Sequence, residues 1–228
     1  MMIFALLAVV FISLMFAPQM WVRYVMRKHS HTIEGMPGTG GELATHLIER
    51  FKLDGIGVEE TEENQDHFDP NDQMVRLSPS NFHGRSLKAV AVATHEIGHA
   101  IQFHRKEDVF LLRSKYLPRA EQIRRIGGYA LWLSPVLALM MKSPVALILP
   151  IVISVVLQIV AAMTYLIVLP EEWDASFGKA MPILEEGYVP DEYLPQAESV
   201  LKAAALTYFA AALSSVLNLG YLLLLLRR

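Results

Sequence analysis

The sequence predicts a mainly α-helical membrane protein, with about four transmembrane helices and one small α+β soluble domain. Three observations predict it. Hydrophobic residues fill 53% of the 228 positions, above the roughly 45–50% of ordinary soluble domains. They gather into four long apolar runs, at 1–22, 126–141, 145–169 and 203–226, and about 20 apolar residues span a hydrocarbon core. Between the first two runs lies a charged, mixed stretch that carries its own helix and strand signals.

The elements follow in order. The run at 1–22 is apolar apart from Ser13, Pro18 and Gln19. A cleaved secretory signal would carry basic residues before the apolar run and a small-x-small site after it. Neither is evident, so 1–22 is expected to remain as an anchor. The soluble domain is placed at 23–125. Within it Ala44, Leu47, Ile48 and Phe51 recur at helical spacing after a Gly-rich start. Short strands are expected at 58–61 and 73–77, around an acidic turn at Asp69, Pro70, Asn71 and Asp72. The stretch 86–103 is apolar on most sides and broken by a polar cluster, which predicts a buried helix.

The second half is membrane-like. Lys142, Ser143 and Pro144 make a turn between two apolar arms, so 126–169 predicts a transmembrane hairpin whose first arm is short for a span. Residues 170–198 are amphipathic and polar, and 199–228 hold the last transmembrane helix. Arg23, Arg27, Lys28, Arg113, Lys115, Arg119, Arg124, Arg125, Lys179 and Lys202 fall on one side of these runs. Lys142, Arg227 and Arg228 fall on the other. The basic-rich side is expected to be cytoplasmic, which places 23–125 and 170–198 there, in a multi-pass protein of the cell membrane.

Composition removes several functions. There is no cysteine, so disulfides, thiolate metal sites and a cysteine nucleophile are excluded. The net charge is only −3, and no basic field invites nucleic acid. The apolar runs hold almost no ionisable residues, which argues against transport.

Chemistry concentrates in "VATHEIGHAIQ". His95 and His99 stand four apart, on one helical face a turn apart. Both could reach one Zn2+ at about 2.0–2.1 Å, and zinc lowers the pKa of its water to roughly 7. Glu96 is placed to take that water's proton as it attacks a carbonyl. Three ionisable groups in a helix of Ala, Val and Ile would be costly to bury without a shared partner. Gly98 lets another backbone approach. A catalytic zinc needs a third protein ligand and one open position. A third His six positions after the second is absent, because Arg105 stands there. The ligand must come from a distant His, Asp or Glu. "LPEEWDAS", at the end of the third apolar run, offers Glu171, Glu172 and Asp174. If the hairpin returns the chain to its starting face, one of these acids completes the site.

"LSPSNFHGRSLKAVAVATHEIGHAIQ", "LPEEWDAS" and "VLKAAALTYFAAAL" together resemble the YugP-type family of bacterial membrane zinc metallopeptidases, in order and spacing from Gly38 to the C-terminus. The resemblance implies a zincin-like catalytic domain and a gluzincin-type site. The family's Glu-aromatic-Asp-Ala-Ser pattern falls on Glu172 to Ser176 and selects Glu172 as the ligand. Related peptidases of the HtpX and CAAX-processing type often carry Asp four residues after that Glu, supporting a zinc-binding His. Here the position is Ser176, with Asp174 as a possible substitute. "QDHFDP" is similar to a family stretch, which offers His67 as an oxyanion or metal neighbour beside its simpler role in the turn. "MVRLS" resembles the edge strand that zincins lay across the cleft. Tyr208, near the start of the last apolar run, is a candidate to polarise the scissile carbonyl.

The function expected is an integral membrane zinc endopeptidase acting on proteins or peptides. His95, His99 and Glu172 hold Zn2+ and Glu96 is general base. The competing reading is a structural or regulatory zinc in a protein that acts by binding partners. Oligomeric state is left open by the sequence.

Overall fold

The computed structural model describes residues 2–225. Met1 and 226–228 lie outside the described residues, and with them Arg227 and Arg228 of the charge argument and the last position of the 203–226 run. The chain is mainly helical, with a three-stranded sheet. It forms two compact units. One gathers Met20–Leu111 with Pro170–Thr207, the other Met1–Gln19, Leu112–Leu169 and Tyr208–Arg228.

In the first unit, helix α1 (Met2–Lys28) ends and helix α2 (Gly40–Phe51) begins behind a capping box. Thr39 Oγ1 accepts the Glu42 N–H and the Glu42 carboxylate accepts the Thr39 N–H, satisfying two donors that a helix start leaves open. Strands β1 (Gly57–Glu60), β2 (His67–Asp69) and β3 (Met74–Leu77) lie in the order β1-β3-β2. β3 runs parallel to β1, pairing Val75 with Val58, and antiparallel to β2, pairing Val75 with Phe68.

Two expectations change here. β2 is a third strand, too short and too surrounded by acids to stand out by alternation. "MVRLS" is the central strand, not an edge. It pairs with a strand on each side, and along it Val75 and Leu77 are fully buried while Arg76 turns to the other face.

Arg76 ties the sheet together by pairing with Glu59, Asp69 and Asp72 at 2.5, 2.6 and 2.6 Å. The Asn71 N–H is the main reason that Asp69 sits below the ordinary aspartate range; burial opposes it, and the Asp72 N–H and Arg76 assist. A depressed folded pKa contributes stability above the unfolded value, and that stability is lost as pH falls through the folded one. Asp69→Asn should therefore melt below wild type at neutral pH, and the two midpoints should converge on acidification. Equal midpoints at pH 7 would contradict this.

The core joins Ala44 and Leu47 of α2, Phe68, Val75 and Leu77 of the sheet, and one face of helix α4 (Leu87–His104) carrying Ala93, Ile97, Ala100 and Ile101. Between the sheet and α4 lies the short helix α3 (Pro79–Phe82). Seating the 93/97/100/101 stripe in the core turns the opposite face of α4, with His95 and His99, away from it, and leaves Glu96 on the flank between.

The second unit contains most of helices α5 (Phe110–Met141) and α6 (Pro144–Trp173). α5 begins well before position 126, which lengthens the helix but leaves its apolar arm at 126–141 short for a span. The extra turns are polar and carry Glu121 paired with Arg124 and Arg125 at three- and four-residue spacing, which supports a helix without an apolar signature. A Cβ on Gly127 would lie 3.3 Å from the Ser154 carbonyl oxygen, so the arms pack closely around the turn at 142–144. Among the described residues, the helical run Pro144–Tyr188 is long and apolar enough to cross a membrane. Its most apolar stretch has a mean hydropathy of 2.8 and is only 33% buried, so most of that surface faces outward. The short helix α7 (Met181–Ile183) and the long helix α8 (Leu194–Leu225) follow among the described residues.

Candidate metal centre

α4 is buried from Ala89 through Gln102, and the Ser86 hydroxyl caps it by accepting the Ala89 N–H at 3.1 Å. His95 and His99 are 4% and 3% exposed, with ring centroids 4.7 Å apart and planes at 80°. The remaining wall is built by Glu172, near the end of α6, and by the π-helical segment Asp174–Ala180 that continues it. Gly98 makes their approach possible: a Cβ there would stand 2.6 Å from the Ala175 carbonyl oxygen, closer than packed atoms tolerate.

The structure brings His95, His99 and Glu172 together, with one donor atom from each inside a 4.8 Å group. Glu172 Oε2 lies 3.3 Å from His95 Nε2 and 3.5 Å from His99 Nε2. Two atoms each about 2.05 Å from a tetrahedral ion are about 3.3–3.4 Å apart. The group therefore has the spacing and donor chemistry of a zinc site, and could hold the ion. Glu171 is equally buried but approaches the other side of the ring, with Oε1 3.7 Å from His99 Nδ1.

Both Nδ1 atoms have oxygen neighbours. His95 Nδ1 is 2.9 Å from Ser176 Oγ, which donates to the Leu201 carbonyl at 3.1 Å. His99 Nδ1 is 3.0 Å from Gln102 Oε1. Asp174 receives hydrogen bonds from Gln102 at 2.9 Å and Lys179 at 3.0 Å, and Lys179 also pairs with Glu107 at 3.1 Å. Burial pushes the Asp174 carboxyl up, but these donors outweigh it and hold it below the usual range. Burial likewise lowers Lys179, and its two carboxylates more than reverse that. Glu96, 7% exposed, has no hydrogen bond or ion pair among the described residues, so its carboxylate is not committed elsewhere.

Two other candidates are not members of this group. His67, on β2, places Nδ1 2.7 Å from the Gln65 carbonyl of its own turn. Tyr208 belongs to the second unit, where its hydroxyl accepts from Arg113 at 3.2 Å and the guanidinium lies 4.9 Å from its ring. Sequence reasoning passed over Gln102 and Lys179. Gln102 had a usable signal, since it stands three residues after His99 on the same helical face. Lys179 had none.

Residues 3–227 match the model of a family described as "Putative neutral zinc metallopeptidase". The chain is 33% identical over 222 residues to "Putative membrane protease YugP" of Bacillus subtilis (strain 168), covering 96% of this chain and 94% of that relative. No solved structure matches it.

Proposed function

The chain belongs to the neutral zinc metallopeptidase family, and from that premise we propose that it is an integral membrane zinc endopeptidase whose site faces the cytoplasm. The observation that carries this reading is the convergence of two imidazole nitrogens on one buried carboxylate oxygen, beside which Glu96 follows His95 on the same buried helix. His95, His99 and Glu172 would hold Zn2+. When bound, zinc supplies Lewis acidity and makes water nucleophilic near neutral pH. Glu96 accepts the proton of the attacking water and then delivers it to the amine that leaves the peptide bond, one carboxyl serving as base and acid in turn. We assign no proton step to His67 or Tyr208: His67 Nδ1 faces the Gln65 carbonyl, and the Tyr208 hydroxyl accepts from Arg113.

The relative's description as a membrane protease supports the membrane part, together with the exposed apolar side chains of α5 and α6, such as Trp132, Leu139 and Ile148. We read the apolar runs within α1, α5, α6 and α8 as the four spans; among the described residues, the run from Pro144 meets both the length and the apolarity that a crossing needs.

Chelation should abolish cleavage of a casein-type substrate by the purified protein, and stoichiometric zinc should restore it. The protein should also stay in the pellet after alkaline carbonate extraction of membranes. Cleavage that survives complete zinc removal would end the metallopeptidase reading, and release by carbonate would end the integral one.

A further inference from the structure

An imidazole has two ring nitrogens, and only the one without hydrogen can ligate a metal. The surroundings of His95 and His99 decide which nitrogen that is. Ser176 Oγ has a single hydrogen, and the Leu201 carbonyl 3.1 Å away can only accept it. At 2.9 Å from His95 Nδ1 the hydroxyl must then act as acceptor, so Nδ1 carries the hydrogen. Gln102 reaches the same result by another route. Its Nε2 faces two acceptors, the Glu171 carbonyl at 3.0 Å and the Asp174 carboxylate at 2.9 Å. A reversed amide would set its own oxygen against both. The amide is therefore held with Oε1 toward His99 Nδ1, at 3.0 Å, where it accepts a hydrogen. Lys179, between Asp174 and Glu107, holds that carboxylate in place.

We infer that Ser176 and Gln102, the latter oriented by Asp174, are positioning residues that lock both imidazoles as Nδ1–H tautomers and aim their Nε2 lone pairs toward Glu172. This rests on the reading that His95, His99 and Glu172 hold zinc. It also accounts for a hydroxyl at position 176. Glu171 and Glu172, both buried, and the half-buried Asp174 already crowd one short segment, and another buried carboxylate beside them would meet strong like-charge repulsion. Ser176 supplies an acceptor without charge, and the negative charge that supports the site enters one bond further out, through Gln102.

The test measures zinc affinity by chelator competition, and the melting midpoint with and without zinc, on the full-length protein. Ser176→Ala and Gln102→Met should each lower affinity about 10–100-fold and shrink the zinc-induced rise in midpoint, with Asp174→Leu behaving like Gln102→Met and Asp174→Asn, which keeps an oxygen toward Gln102, remaining within about threefold of wild type. Glu172→Ala is the control. Wild-type affinity and an undiminished rise in Gln102→Met and Ser176→Ala, while Glu172→Ala loses zinc, would overturn the positioning role and leave the ligand set standing. An equal fall of both midpoints at unchanged affinity would mark a packing role and overturn it too. Wild-type zinc binding by Glu172→Ala would instead remove the ligand set on which the inference depends.

Discussion

Glu96→Gln is expected to lose proteolysis by at least 100-fold while keeping its zinc, since general acid–base catalysis is typically worth 10²–10⁴-fold. The substitution keeps shape and volume but removes the ability to take and return a proton. Glu96 is not among the three clustered donors, and it has no hydrogen bond or ion pair among the described residues, so metal content and folding should be spared. This separates chemistry from structure. A variant stripped of zinc would mean that Glu96 helps hold the ion. A variant that keeps zinc and still cleaves at the wild-type rate would favour a structural or regulatory metal, the competing reading of the same motif.

How much of this was legible in the sequence depends on whether a feature is local. The buried helix was visible because its turns repeat Ala, Val and Ile around three ionisable residues, and α4 runs from Leu87 to His104 as that pattern requires. The apolar spacing of α2 was equally local, whereas its Thr39–Glu42 capping box went unread. β2 was not visible, because three residues cannot show an alternation and its partners lie on β3. The helical extent of α5 was missed for a related reason: its first turns are held by Glu121 with Arg124 and Arg125, and apolar periodicity does not register such pairs. At the site, fourfold spacing pointed to His95 and His99 directly. The roles of Gln102 and Ser176 depend on contacts spanning 69, 72 and 81 positions, which no local pattern carries. Ser176 looked like a departure from a carboxylate-supported histidine. In the fold its hydroxyl faces the same ring nitrogen that a carboxylate would have to reach.

The choice between adjacent glutamates gives the other large effect. Glu172→Ala should leave the purified protein essentially without zinc after gel filtration, and Glu171→Ala should retain it. Both side chains are almost completely buried, so burial does not distinguish them; direction does. Glu172 Oε2 faces both Nε2 atoms, whereas Glu171 Oε1 faces the Nδ1 side of His99. Removing Glu172 leaves two imidazoles, and losing one of three donors should cost more than the 10–100-fold typical of an outer partner. Removing Glu171 takes a carboxylate from beside His99, but its backbone carbonyl, which receives the Gln102 amide, is unchanged by the substitution. The Glu171 variant should therefore melt at a lower temperature and still bind zinc. The opposite pattern, zinc kept without Glu172 and lost without Glu171, would place the ligand one residue earlier. The π-helical segment beginning at Asp174 would then have to turn differently to keep Ser176 against His95. Zinc content of the two variants, measured side by side, decides between these arrangements.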